Sequence, residues 1–459
     1  MKNQKSISIF VLISGLFIEI FLIVFTHFNR QNGNIPLFMF LYLETFLIML
    51  VTFFFIRKLS KNKTGKPKKI PWLIRTLAKI LSFNEEDADK LRTPLLIISW
   101  GIIFRLTLFP AAYATSPDVN RYLWEGKILY HGYNPFTISP ADTQLARFRN
   151  KVYENINFKN MQTIYPPLAQ LTFLSAYLIK EESTQGLKIL YLAFDLMILF
   201  LLLKLLYLKK SDLNNIILYA WMPLILLEFY VNAHIDIAGI FFMLLFIFLM
   251  EKDRPIWASL PFALAILVKM YPVILFPLVL KRMDRKTFYR FFFNFILIVM
   301  VFYTPFIYKD YSVFTSLITY LKKWEFNSSV YYLLKHNFFS PENSRLICAG
   351  LFIITVGLIS YFYKDFTKAA YGIFIALIIF STTLYPWYLG WIAALNPLYN
   401  FYSVTSLLFT INFSNFTPLG TVWKEYLFVL LLQYIPFFTL LLIDLLIMWK
   451  KKKIVEKTQ

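Results

Sequence analysis

The chain has 459 residues, of which 58% are hydrophobic, 19% aromatic and only 16% charged. A soluble globular domain carries about 25% charged residues, so this composition excludes an ordinary soluble enzyme. The net charge of +21, from 47 basic and 26 acidic residues, reads as the basic loops of a membrane protein and not as a nucleic-acid surface.

Apolar runs of about 18 residues or more recur along the whole length, and each is a candidate transmembrane helix. They predict an all-α, polytopic membrane bundle of roughly 11 to 13 segments. No internal repeat and no separate soluble domain is visible. The single cysteine, Cys348, excludes an intrachain disulfide and a cysteine-based metal cage.

The run at 7–28 is too long for a signal-peptide core and has no small-x-small cleavage site, so it reads as an uncleaved helix. A second run covers 36–56. Residues 57–92 then hold eleven Lys/Arg against four Asp/Glu, the mark of a cytoplasmic loop. Within it, 71–83 suits a short helix lying on anionic lipid. The run at 94–114 emerges on the opposite face and delivers SPDVNRYLWEG, residues 116–126. The segment from 115 to 164 becomes a long external loop carrying juxtamembrane helices. In DTQLARFRNKVYENINF, Leu145, Phe148, Val152 and Ile156 recur at helical spacing with Arg147, Arg149 and Lys151 between them. That pattern suits an amphipathic helix in the interface.

Further runs lie at 168–180, 187–207, 215–233, 237–250, 256–280, 290–308, 345–363, 369–385, 388–412 and 425–449. Lys209-Lys210, EKDR at 251–254, KRMDRK at 281–286 and KKKK at 450–453 all belong on the inner side. Strict alternation cannot satisfy every one of them. Some runs must therefore be partial or broken, foremost 168–180, the Pro272-interrupted 256–280 and the Asn396-Pro397-interrupted 388–412. Non-helical backbone at membrane depth is tolerated where it lines a polar cavity or is buried in protein.

Ionisable residues inside apolar runs are costly and default to a functional reading. Here they are Glu19, Glu44, Arg105, Asp195, Lys204, Glu228, His234, Asp236 and Lys269. Glu19 and Glu44 can pair with a neighbour or stay protonated. Lys204 can snorkel, and Asp195 suits a helix–helix contact. Glu228, His234 and Asp236 share one turn, EFYVNAHIDIAG, on the side of Asp118. Lys269 precedes Pro272, and Trp387 and Tyr388 flank Pro386 in another aromatic break.

No nucleotide loop, HExxH or spaced metal set is present. A lipid-linked sugar donor needs no nucleotide fold. Its phosphate leaves as a stable anion, one carboxylate suffices as general base, and a cation should face the phosphate. Direct displacement with one base inverts the anomeric centre.

The stretch DVNRYLWEGKILYHGYNPF resembles the first external loop of GT-C superfamily membrane glycosyltransferases, especially bacterial polyprenyl-phosphate-mannose-dependent mannosyltransferases. The matching residues are Asp118, Arg121-Tyr122, Trp124-Glu125-Gly126 and Gly132-Tyr133-Asn134-Pro135-Phe136. TIYPPLAQ at 163–170, NAHID at 232–236, VKMYP at 268–272, WEFNSSVY at 324–331 and YPWYLGW at 385–391 follow in family order. The resemblance covers 94–459 as a single catalytic membrane domain and leaves 1–93 as two accessory helices plus the basic loop. It implies a multi-pass enzyme of the bacterial cytoplasmic membrane, with its site facing outside, that moves a hexose, by resemblance mannose, to a glycolipid or glycan acceptor. Asp118 would be the catalytic base. Arg121 would orient it or bind phosphate, Tyr122 and Trp124 would stack on a sugar or anchor the loop, and Glu125 would support them. His234, Asp236, Lys269, Trp387 and Tyr388 would line the cavity or contact the donor. Relatives often carry a second acid where this chain has Asn120, which weakens the case for a divalent metal; no metal or cofactor is expected. The alternatives are a lipid-linked glycan flippase or transporter, and a surface-glycan polymerase or ligase.

Overall fold

The computed structural model describes residues 2–29, 33–60, 70–307, 313–420 and 423–458. Residues 61–69 of the basic loop and residue 308 of the run 290–308 lie outside them. The described residues are helical and connecting segments, with one isolated parallel bridge between Phe326 and Thr383. The chain is an integral, multi-pass membrane protein.

Among the described residues, six helices are long and apolar enough to cross a membrane: Asn3–Phe28, Ile35–Ser60, Thr184–Leu208, Arg285–Phe306, Pro341–Phe362 and Leu427–Lys450. The pair Leu213–Ala220 and Pro223–Tyr230, bent by 43°, is together long and apolar enough for a broken span or a re-entrant loop. The remaining apolar runs are shorter or broken helices. Arg92–Thr107 and Asp236–Glu251 have 16 residues each, and Pro167–Ile179 has 13.

The breaks fall where they were expected. Pro255–Val268 stops at Lys269, whose backbone is extended, and the chain resumes as Tyr271–Leu275 and Phe276–Arg282. Arg282 at its end meets Asp253 at its start, at 3.2 Å. The segment therefore goes in and comes back, with Lys269 at its innermost tip. Residues 386–399 likewise break into Pro386–Leu389, Gly390–Ala393 and Asn396–Tyr399. Basic clusters consequently gather at one end. There Tyr207 donates to Asp87 (3.0 Å), and Lys209 pairs with Glu251 (2.7 Å) and Asp365 (3.0 Å).

Inside the bundle, Arg105 and Asp195 form a fully buried ion pair at 2.5 Å. Tyr219 and Tyr230 donate to Asp195 at 2.8 and 2.9 Å, and Arg105 donates to the carbonyls of Gly101 and Ala220 at 2.8 Å each. Gly101 is required, because a Cβ there would lie 2.9 Å from the Ala220 carbonyl oxygen. Asp195 is thus a helix–helix contact. Lys204 lies over the rings of Phe200 and Phe248 (5.2 and 5.6 Å). Glu19 accepts from Thr107 at 2.5 Å and joins the N-terminal helix to Arg92–Thr107.

The helix expected on the lipid surface is Trp72–Ile80. Ala78 is buried, and Trp72 is 77% exposed. The amphipathic helix expected over 142–158 does not form as one piece. Asn150 caps a single turn, Lys151–Glu154, with its side chain accepting from Val152 and Tyr153 N–H groups, and so separates it from the 3-10 turn Thr143–Phe148. Leu145 and Ile156 turn inward onto Trp124 and Ile128 and do not face lipid.

Removing one partner of a buried ion pair leaves an uncompensated charge, at a cost of about 3–5 kcal/mol. Arg105→Met should lower stability by about that amount in denaturant unfolding of the detergent-solubilised protein, and adding Asp195→Leu should recover most of the loss.

Candidate active site

The helix Asp118–Tyr130 begins where Pro117 fixes the backbone before it and Ser116 Oγ accepts the Asp118 N–H at 3.4 Å. Asp118 is its first residue, so the helix dipole favours the charged carboxylate. Asn120 donates to the Pro117 carbonyl at 3.1 Å and completes this start. The helix ends at Gly132, whose φ of +82° lies in the left-handed region. There the N–H groups of Gly132 and Tyr133 return to the carbonyls of Leu129 and Ile128, both at 3.0 Å. Gly126 lets this helix lie against Pro167–Ile179, since a Cβ would sit 2.4 Å from the Phe173 carbonyl oxygen.

Asp118, Tyr165, Lys269, Tyr271, Tyr320 and Tyr388 each keep part of their surface accessible while protein encloses them on almost every side. Together they outline an inner recess at the end of the bundle away from the basic clusters. Burial raises the Asp118 carboxyl above the usual aspartate range. The hydrogen bond from Asn157 (3.2 Å) and then the charge of Lys269 pull it back part of the way.

Three broken segments meet behind Asp118. Ala233 takes a left-handed φ of 56°, which turns the chain between Pro223–Tyr230 and Asp236–Glu251. Asn232 ties this turn to the approach to Asp118: its Oδ1 accepts from Ala114 and Thr115 N–H groups (3.0 and 3.1 Å), and its Nδ2 donates to Glu228 (2.9 Å). Asp236 Oδ1 accepts from Lys269 Nζ at 2.7 Å and from Trp391 Nε1 at 2.8 Å. The Trp391 indole seats on Gly239, where a Cβ would come within 2.4 Å of it. Lys269 also lies 4.1 Å over the Tyr388 ring, and Tyr388 shares a hydrogen bond of 2.6 Å with Tyr320.

His234 is buried between a hydroxyl and a carboxylate. Its Nδ1 is 3.4 Å from the Tyr122 hydroxyl, and its Nε2 is 3.5 Å from Glu228 Oε2. Its ring stacks on Trp387 at 3.7 Å, and Tyr385 stacks on the same indole at 4.6 Å. Tyr122 stacks on Phe173 at 4.6 Å and accepts from Tyr165 at 3.3 Å, so it joins the recess wall to His234.

Arg121, Glu125 and Trp124 are engaged elsewhere. Arg121 pairs with Glu125 at 2.5 Å and donates to the Met161 carbonyl at 2.7 Å. Glu125 accepts from Thr163 (2.8 Å) and Gln170 (2.7 Å). Trp124 is fully buried in a small core with Ile128, Ile138, Leu145 and Ile156. These three fold the loop 141–163 onto the helix. The sequence reading passed over Asn157 and Lys188. Lys188 Nζ donates to the carbonyls of Leu108, Phe109 and Ala111 (3.3, 3.0 and 2.7 Å), and so caps the chain just before Asp118. Its place at the start of an apolar run was the available signal. A separate cleft of about 490 Å³, lined by Leu129, Leu171, Leu174, Phe302, Phe306 and neighbours, opens beside Pro167–Ile179.

Residues 29–283 match the family model described as alpha-(1->6)-mannopyranosyltransferase, N-terminal domain. Residues 163–410 match that of glycosyltransferase family 87. The first match starts ahead of the boundary expected near residue 94 and takes in Ile35–Ser60. No curated protein and no solved structure matches the chain.

A buried carboxylate kept for chemistry is a stability cost, and an isosteric amide relieves it. Asp118→Asn should unfold at the same temperature as the wild type or a higher one, as followed by a thermal melt in detergent. A clear drop would mark Asp118 as a structural residue.

Proposed function

The chain belongs to this glycosyltransferase family, and on that footing we propose that it transfers a hexose, mannose by the name of the matched domain, from a polyprenyl-phosphate donor to a glycolipid or glycan acceptor at the outer face of the membrane. The observation that carries the proposal is Asp118 on the recess wall, at a helix N-terminus, with Lys269 near enough to act on its charge. The basic clusters at the opposite end support an outward-facing site, since such loops stay in the cytoplasm.

Asp118 takes the proton of the acceptor hydroxyl as its oxygen bonds to the anomeric carbon. The bond from that carbon to the phosphate oxygen breaks in the same step, the phosphate leaves with the electron pair, and the configuration inverts. Lys269 faces the phosphate. An ammonium has three N–H donors, and Asp236 engages one of them. Arg121, bound to Glu125 and Met161, holds the loop and leaves the phosphate to Lys269. Tyr388 and, beside it, Trp387 supply the aromatic wall for the sugar, and the apolar cleft suits a lipid chain.

Sugar transfer from synthetic polyprenyl-phosphate-mannose, in proteoliposomes supplied with host lipid extract, tests this reading. Wild type should transfer in the presence of a chelator, and Asp118→Asn should be slower by a factor of about 10² to 10⁴. The base must be unprotonated, and burial raises its carboxyl. The rate should therefore fall with decreasing pH from a point above the ordinary aspartate range. Equal transfer by both proteins would remove Asp118 from the mechanism.

A further inference from the structure

The hydrogen bond received by the Asp118 carboxyl comes from outside its own helix. Asn157 Nδ2 donates to Asp118 Oδ1 at 3.2 Å, across 39 residues of chain. A loop amide holds a geometry only as well as the loop is held, and this loop is fastened on both sides of Asn157. Before it, Ile156 is buried against Trp124 and Ile128. After it, Phe158 takes a left-handed φ of 50°, a costly conformation for a large side chain. Its ring packs edge-on against Trp324 at 4.9 Å. The Phe158 and Met161 carbonyls both accept from Arg121, at 3.5 and 2.7 Å. Arg121 is itself fixed by Glu125, which Thr163 and Gln170 hold from the far side of the loop.

We propose that Asn157 is the positioning residue of Asp118. Its amide engages Oδ1 and leaves Oδ2 as the oxygen that takes the acceptor proton, while the Arg121–Glu125 pair serves Asp118 indirectly by pinning the loop. The proposal rests on the reading of Asp118 as the base. It explains why two charged residues of the SPDVNRYLWEG stretch are turned away from the recess. It also separates two kinds of influence on Asp118. Lys269 and Arg121 favour its charge through space, and Asp236 opposes it. Glu228 and the hydroxyls of Tyr122, Tyr165, Tyr320 and Tyr385 feel that charge in turn. Among these groups it is Asn157 that donates a directed hydrogen bond to the carboxylate.

The test compares wild type with Asn157→Ala and with the near-isosteric Asn157→Asp, which replaces the donor by an acceptor. Dicyclohexylcarbodiimide reacts with protonated carboxyls, so labelling of Asp118, read by mass spectrometry over a pH series, reports its protonation without any sugar donor. The midpoint should move up by about one pH unit in Asn157→Ala and further in Asn157→Asp. In the transfer assay at neutral pH, kcat should fall about tenfold or more with KM for the donor little changed. Unchanged labelling midpoints in both variants, with melting temperatures near wild type, would overturn the proposal. A wild type that transfers no lipid-linked sugar would instead overturn the reading of function, and the labelling would still decide the role of Asn157.

Discussion

The ion pair between Asp236 and Lys269 holds the interior of this protein in its arrangement. Each residue stands at a break in an apolar segment, and a break at membrane depth frees backbone groups that lipid cannot satisfy. Asp236 heads a helix and so receives the favourable end of its dipole. Lys269 sits at the tip of the in-and-back segment and closes on Asp236 at 2.7 Å. Trp391, from a third broken segment, donates to the same oxygen. Three interruptions that would each be costly alone share one carboxylate. A buried pair of this kind is weak evidence for stability in itself, but removing one partner costs about 3–5 kcal/mol. The pair therefore acts as a registry device: the segments must come together in one way for both charges to be satisfied.

That registry places the recess. With Lys269 fixed on Asp236, its ammonium lies over Tyr388, and Tyr388 in turn bonds Tyr320 from a helix more than sixty residues earlier. His234, two residues ahead of Asp236, stacks on Trp387 and reaches Tyr122. Tyr122 is one turn beyond Asp118 on the same helix. A short chain of contacts thus links the deep ion pair to the Asp118 carboxylate. Side chains that look scattered over 270 residues of sequence belong to one connected wall.

The breaks were legible in the sequence because most carry a local sign, a proline, a charge inside an apolar run or a cluster of aromatics, whereas Tyr320, which bonds Tyr388, carries none. Lys269 before Pro272 and Tyr385 to Tyr388 around Pro386 are of that kind. The direction of the chain after a break was not legible. The contact between Asp253 and Arg282, with the stacking of Phe262 on Phe276, reveals that 255–282 returns to its own side. The helix expected over 142–158 failed for a related reason. Its apolar spacing is real, but its partner is Trp124, and a pattern does not say whether lipid or protein will cover it. Ala233 hid best. A left-handed turn normally announces itself with glycine, asparagine or aspartate, and here neighbouring hydrogen bonds from Asn232 and His234 impose it on an alanine.

Asn157 and Lys188 show what single-sequence reasoning misses at a site. Asn157 stands in a stretch whose apolar spacing draws the eye to other residues, Lys188 heads an ordinary apolar run, and each acts on a group 39 or about 80 residues away. Lys188 spends its donors on three carbonyls where Arg92–Thr107 ends, so the chain leaves that helix in a set direction. Asn232 takes hold of it next, at Ala114 and Thr115, and Ser116 then starts the helix of Asp118. The direction in which Asp118 points is thus the product of polar groups lying outside its own helix. Within the helix, Arg121, Trp124, Glu125 and Gly126 are occupied with packing and with the loop. The density of unusual residues around Asp118 is therefore mostly scaffolding. A single carboxylate facing a recess needs its neighbours immobile more than it needs them reactive, because a loss of alignment of about 1 Å can cost a factor of about 10² in rate.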